Sequence, residues 1–335
     1  MKAADRERRS GWSRAAISLV VVGFLVTGAC GKEKAAPAVT HTLRAGVLTS
    51  VDHLPLYAMV DEGFAAAEGL RLTEVPAAGG TAVLAGLVDG TLDIGTVGVV
   101  SLAAGVQAGT VPGTVIGVMG AIFVSPEHPL IAVLAADGVP DFATLSGRRV
   151  AVNSKTSLGA AGLAGRLARA GLAPAELVEV PFGSMGLAVR NGDVSAAVVL
   201  EPYLTQSVKR GDGHLLGWVV GGSPMERVQS SIVSIRKELA TSNPAAIRSY
   251  IRAHLAAQRW IERNPKDARD LLARRLSISP EVAADIVLPS FDNDGRNDNE
   301  RIQPILDLLN AATPGVDAST LYDERLLRAA DPPGR

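Results

Sequence analysis

The sequence predicts an α/β protein of two βα lobes with mainly parallel sheets, a cleft between them, and a layer of C-terminal helices. Three observations carry this. Short apolar runs alternate with longer helical ones along most of the chain; one unit of helix, Asp/Asn-Gly turn and apolar strand recurs in both halves; and beyond residue 235 the pattern is helical only.

Taken in order, residues 43–48 read as a strand, 56–68 as a helix, 70–75 as a strand, 80–89 as a helix, 92–97 as a strand, 99–108 as a helix and 113–119 as a strand. Gly69 suits the left-handed end of the first helix, and Asp89-Gly90 is turn chemistry between the second helix and its strand. A less regular stretch follows with Pro126 and Pro129. Residues 130–135 then read as extended, and 149–153 open a second series: helix 158–170, strand 177–181, helix 185–191, strand 196–200, helix 203–210. Asn191-Gly192-Asp193 repeats the turn of the first half. Such alternation needs crossover connections and hence a mostly parallel sheet in each half. Beyond extended runs at 215–220 and 231–235, helices are expected at 244–263, 265–276, 280–287 and 300–310; Ile247, Ile251, Leu255 and Trp260 fall near helical spacing, and Pro265 stands at a helix start. The expected organisation is residues 42–120 with 225–335 in one lobe and 121–224 in the other.

The 335 residues are 47% hydrophobic, enough for real cores, and 33 basic against 34 acidic residues leave a net charge of −1, so no global field attracts nucleic acid. The single Cys excludes an internal disulfide or a multi-thiolate metal site, the five His show no HExxH spacing, and no P-loop is present. Residues 292–299 (DNDGRNDN) resemble a calcium loop superficially, but Gln303 stands at the twelfth position, where Glu is required, so a solvated loop and no metal is expected.

At the N-terminus Lys2, Arg6, Arg8, Arg9 and Arg14 precede a stretch with no charge from Ala15 to Cys30. The apolar run 17–26 (ISLVVVGFLV) is too short to span a hydrocarbon core of about 30 Å and suits a secretory leader. Val26-Thr27-Gly28-Ala29-Cys30 resembles the lipobox of bacterial lipoproteins, with Thr27 where Leu is usual. That resemblance implies cleavage after Ala29 and acylation of Cys30, which anchors the protein to the bacterial cell membrane outside the cytoplasm, on the periplasmic or outer face. Residues 1–29 would be the leader and 30–41 the lipidated Cys and tether. Loss of the leader removes five basic and two acidic residues and leaves a net charge of −4.

Four segments carry a wider resemblance: PLYAMVDEGFAAAEGLRL (55–72), LVDGTLDIGTVGVVSLAAGVQAG (87–109), LSGRRVAVNSKTSLGAAGLAGRLARAGL (145–172) and VPFGSMGLAVRNGDVSAAVVLEPY (180–203), with a weaker fifth at 243–272. Together they resemble the solute-binding proteins of ABC importers for nitrate, aliphatic sulfonates and taurine, a family with the type II periplasmic-binding-protein fold. The resemblance implies a ligand cleft between the lobes, closed by a hinge, and a non-enzymatic monomeric receptor without cofactor. It would capture a small anionic or zwitterionic solute and present it to a membrane permease with a cytoplasmic ATPase. Relatives that make the thiamine pyrimidine depend on a cysteine-rich iron site, which one Cys at the lipidation point does not provide. A binder of a thiamine-pyrimidine precursor and a sensing lipoprotein uncoupled from transport remain alternatives.

In parallel sheets ligands bind beyond the carboxyl ends of the strands, where helix N-termini offer free N–H groups. The strand-to-helix connections are therefore the candidate site. His53 falls in the first of them. Gly80 and Thr81 open a helix and permit close backbone approach, Val97 and Gly98 offer backbone and slim walls, and Ser154, Thr156 and Ser157 supply hydroxyls beside a helix start, where capping of that helix is the competing role. Gly183 and Ser184 are the counterpart in the second half. Glu201, in Glu201-Pro202-Tyr203, resembles the family's Glu-Pro at a strand end, where it would bond a ligand amine or the facing lobe; Leu200 stands where Trp is frequent.

Overall fold

The computed structural model describes residues 38–111, 113–291, 294–309 and 315–330. The expected leader, Cys30 and most of the tether lie outside the described residues. Among those described, no helix is long and apolar enough to cross a membrane.

Leu43 and Ala45 alternate inward on β1 (His41–Val47), which feeds α1 (Leu54–Asp61), with Pro55 in its first turn. The single helix expected at 56–68 is two. Gly63, at φ +78°, ends α1 in the left-handed region, and α2 (Phe64–Ala67) restarts before β2 (Leu70–Pro76). The first lobe continues with α3 (Gly80–Asp89), β3 (Ile94–Gly98), α4 (Val99–Gln107) and β4 (Val115–Val124), the last running five residues beyond the expected strand end. The chain then enters β5 (Ile131–Ala135), β6 (Arg149–Val152), α5 (Leu158–Arg169), β7 (Glu176–Glu179), α6 (Phe182–Arg190), β8 (Ala196–Leu200), α7 (Tyr203–Lys209) and β9 (His214–Val220). It returns through β10 (Val228–Arg236) and ends in α8 (Leu239–Ser242), α9 (Pro244–Arg263), α10 (Pro265–Leu276), α11 (Pro280–Asp285), α12 (Asn299–Leu308) and α13 (Arg325–Ala330).

Two five-stranded sheets share one order, β2-β1-β3-β10-β4 and β7-β6-β8-β5-β9. In the first, β1 pairs in parallel with β2 and β3, and β10 lies antiparallel between β3 and β4. In the second, β6 pairs in parallel with β7 and β8, and β5 lies antiparallel between β8 and β9. Four strands in each sheet thus run one way and the fifth is reversed. The reversed strand is in each case the one that has just arrived from the other lobe, β5 after β4 and β10 after β9.

Those two passages join the lobes. The backbone N–H of Leu130 donates to the Val220 carbonyl (2.9 Å), so the passages that leave and return meet there, and the Gly221 N–H donates to the Met225 carbonyl (2.8 Å) within the returning one. Gly221 has φ +91°, and a Cβ there would lie 2.4 Å from the Pro129 Cα. Only a residue without a side chain fits this crossing.

The expected helical layer packs on the first lobe. Ile247, Ile251 and Leu255 recur every fourth residue on α9 and are buried against α1 and the first sheet. Asn243 caps α9 by accepting from the Ala246 N–H, and Arg252 pairs with Glu68 at 2.7 Å.

Candidate functional site

A cavity of about 130 Å³ lies between the two sheets. Its walls follow from topology. Strands β1, β2, β3, β6, β7 and β8 all end at it, so Leu48, Gly79, Gly80, Thr96, Gly98, Asn153, Phe182, Val198 and Leu200 line it. The reversed strands bring their starts to the same place, adding Leu130 and Ile131 from one lobe and Ser230 and Ser231 from the other. The N-termini of α3, α4 and α5 point at this space through Gly80, Gly98 and Ser157, and each supplies about half a positive charge there.

The structure brings together His53, Gly80, Gly98 and Ser157 of the expected site residues. The other seven lie off the cavity wall. Val97 is fully buried and packs in the core with Leu102 and Ile232, because side chains alternate along β3 and it is Thr96 and Gly98 that face the cavity. Thr81 is exposed on the first turn of α3. Ser154 and Thr156 bond each other through their hydroxyls at 3.1 Å. Ser157 caps α5, its Oγ accepting from the Ala160 N–H at 3.2 Å. Gly183 and Ser184 are exposed, and the preceding Phe182 forms the wall instead. Glu201 is 3% exposed, accepts from Thr205 through both its N–H (3.1 Å) and hydroxyl (2.8 Å), and receives the Val287 N–H at 3.5 Å. Burial raises its pKa, which those donors offset only in part.

The lobes touch across the cleft beside Glu201. Its carbonyl accepts from the Val51 N–H (3.4 Å), and the Tyr203 hydroxyl donates to the Thr49 carbonyl (3.0 Å). The Tyr203 ring stacks on Phe182, with centroids 5.6 Å apart and planes at 14°. One aromatic pair thus connects the cavity wall to the contact that holds the lobes together. Removal of that hydroxyl in Tyr203→Phe is expected to weaken solute binding three- to tenfold, about 1 kcal/mol for one hydrogen bond, with faster release and an unchanged melting temperature. Calorimetry and stopped-flow release measure both.

Two buried histidines lie within electrostatic reach of each other here, and His53 is itself part of the cavity wall. Burial pushes His53 down to about 4; His254, whose ring stacks with Tyr250 at 5.8 Å, is pushed down to about 3 by burial and by the charge of His53. Both are neutral in the folded protein, so between pH 6.5 and 4 the unfolded chain binds two protons that the fold refuses, and stability falls as pH falls. Asp52 acts in the opposite sense: burial pushes its carboxyl up to about 6, so the fold takes one proton above pH 4 that the unfolded chain does not. The two histidines are displaced further than Asp52, so stability falls on balance between about pH 6 and 4.5, by less than the histidines alone would give because the raised pKa of Glu201 acts with Asp52. Urea unfolding at pH 7 and pH 5 should show that decline, and the double variant His53→Gln, His254→Gln should abolish or reverse it.

A family model described as the NMT1-like family matches residues 36–277. This chain belongs to the NMT1-like family. A search of curated proteins by sequence found no match. Among solved structures, this NMT1-like protein is similar to the periplasmic aliphatic sulphonate binding protein SsuA of Escherichia coli, at 20% identity and TM-score 0.67, covering 86% of this chain and 99% of that one. It is similar to the periplasmic nitrate-binding protein NrtA of Synechocystis PCC 6803, at 18% identity and TM-score 0.70, covering 88% and 89%. A Candida albicans gene product described as having the generic periplasmic-binding-protein fold matches at 17% identity and TM-score 0.65, covering 86% and 94%. The NMT1-like chain therefore has the periplasmic-binding-protein fold, and the cavity lies between the two sheets of that fold.

Proposed function

We propose that this protein is the extracytoplasmic solute-binding component of an ABC importer. It captures a small anionic or zwitterionic solute between its lobes and presents it to a permease whose cytoplasmic ATPase drives uptake. The observation that carries this reading is the cavity itself, closed on one side by Gly80 and Gly98 and on the other by Ser157, Leu158 and Phe182. A solute that touches both lobes favours the closed form over the open one by its differential contacts, and closure shapes the surface a permease reads. The volume supports a small solute: an engineered cavity of about 150 Å³ holds benzene. The sulphonate- and nitrate-binding proteins that share the fold support the solute class. Acylation of Cys30 would tether the protein, as a monomer, to the membrane that holds its permease.

A thermal-shift screen of the purified protein against sulfonates, nitrate, taurine and related small solutes tests this. At least one should raise the melting temperature by several degrees. A flat response across the panel would overturn the receptor reading.

A further inference from the structure

Three polar atoms on the first-lobe side of the cavity are buried and bonded to no protein group: Asp52 Oδ1, His53 Nδ1 and Ser231 Oγ. All three residues line the cavity. His53 is 2% exposed and Ser231 6% exposed, whereas their neighbour Ser230 has its hydroxyl engaged with the Ile122 carbonyl at 3.3 Å. Buried polar groups in a fold are normally satisfied, so three orphans on residues that line one small space leave hydrogen-bonding capacity at this wall that the chain does not meet.

The charge of the wall indicates what that partner is. Among the described residues lining the cavity, Asp52 alone carries a formal charge, and no Lys or Arg is present. Burial pushes the Asp52 carboxyl up to about 6, short of full neutralisation, so it is ionised at neutral pH. The Asp52 carboxylate is half-buried with one oxygen fully enclosed and no counter-charge beside it, which is unfavourable, and a bare anion placed against it would add repulsion. Neutral His53 and the Ser231 hydroxyl can both accept from a donor held beside Asp52. A metal ion fits poorly, since the described residues hold no group of three or more His, Cys, Asp or Glu side chains suited to one.

Building on the receptor reading above, we propose that the first-lobe wall of the cleft is a subsite for a cationic nitrogen, with the Asp52 carboxylate holding an ammonium or amidinium group of the solute and His53 and Ser231 accepting its remaining hydrogens. The solute is then a compact molecule with a protonated nitrogen at one end. If its other end is anionic, that end lies toward the α5 terminus at Ser157 in the second lobe. Asp52 is accordingly a specificity-determining residue, and it selects against nitrate and simple alkanesulfonates.

Matched probes separate the possibilities. Calorimetry on the purified full chain compares taurine with ethanesulfonate, 4-aminobutyrate with butyrate, and acetamidine with nitrate. In the wild type the nitrogen-bearing member of at least one pair should bind ten times or more tighter than its partner, and Asp52→Asn should abolish that preference while the melting temperature stays within a few degrees. Asp52→Ser, a smaller replacement, serves as the second variant and should behave in the same way. Equal or tighter binding of ethanesulfonate, butyrate or nitrate, or a preference that survives both variants, would overturn the proposal and leave the receptor reading standing. Binding of none of the six probes would also overturn the proposal, and together with a flat thermal-shift panel it would overturn the receptor reading as well.

Discussion

Gly98→Leu should fold as the wild type does and lose solute binding by more than about 100-fold, or roughly 2.7 kcal/mol. Gly98 ends β3 and precedes α4 with φ −61° and ψ 138°, a conformation open to any residue. A Cβ there meets nothing nearer than the Ser230 carbonyl at 3.9 Å and the Ser101 Oγ at 4.0 Å, both belonging to residues of the cavity wall. The added side chain therefore enters the cavity rather than the core, and in about 130 Å³ a Leu leaves little room for a solute. Circular dichroism and a melting curve check the fold, and calorimetry with the strongest stabiliser from the screen checks the binding. Undiminished binding in a folded variant would place the solute elsewhere.

Gly221→Ala is expected to act on stability. Its positive φ of +91° and the 2.4 Å approach of a Cβ to the Pro129 Cα combine backbone strain with a clash against main chain, which cannot rotate away. The loss should be about 3 kcal/mol, read as a shifted midpoint in urea unfolding. Because the crossing joins both lobes, the variant should also lose part of its solute affinity. Gly63→Ala, with positive φ but nothing within 4 Å, separates strain from clash and should cost about 1 kcal/mol.

Much of this architecture is legible in the sequence, because βα alternation and Asp/Asn-Gly turns are local signals. The break at Gly63 is local too, and Glu62-Gly63-Phe64 carries it. The origin of the reversed strands is not local. That β10 inserts between β3 and β4 is a long-range pairing, so Ser230 and Ser231 give no hint of a cleft position beyond being polar residues in an apolar strand. The connections that line the cavity are recognisable as a class in the sequence, but which of their residues face it is not. Alternation along β3 would have selected Thr96 and Gly98 over Val97. Asp52 and His53 lie side by side in one expected connection, and nothing in their spacing shows that both keep a buried polar atom without a partner in the chain. Glu201 stands at a strand end as expected, yet Thr205, one helical turn on, takes up both of its oxygens. Such competition between a helix start and a ligand is invisible until the chain is folded.

A crystal structure of the protein with the strongest stabiliser found in the screen would show where the solute sits. Density for the solute is expected between the two sheets, in contact with Gly80 or Gly98 on one side and with Ser157 or Phe182 on the other. A solute bound to one lobe only, or outside the cleft, would contradict the receptor reading.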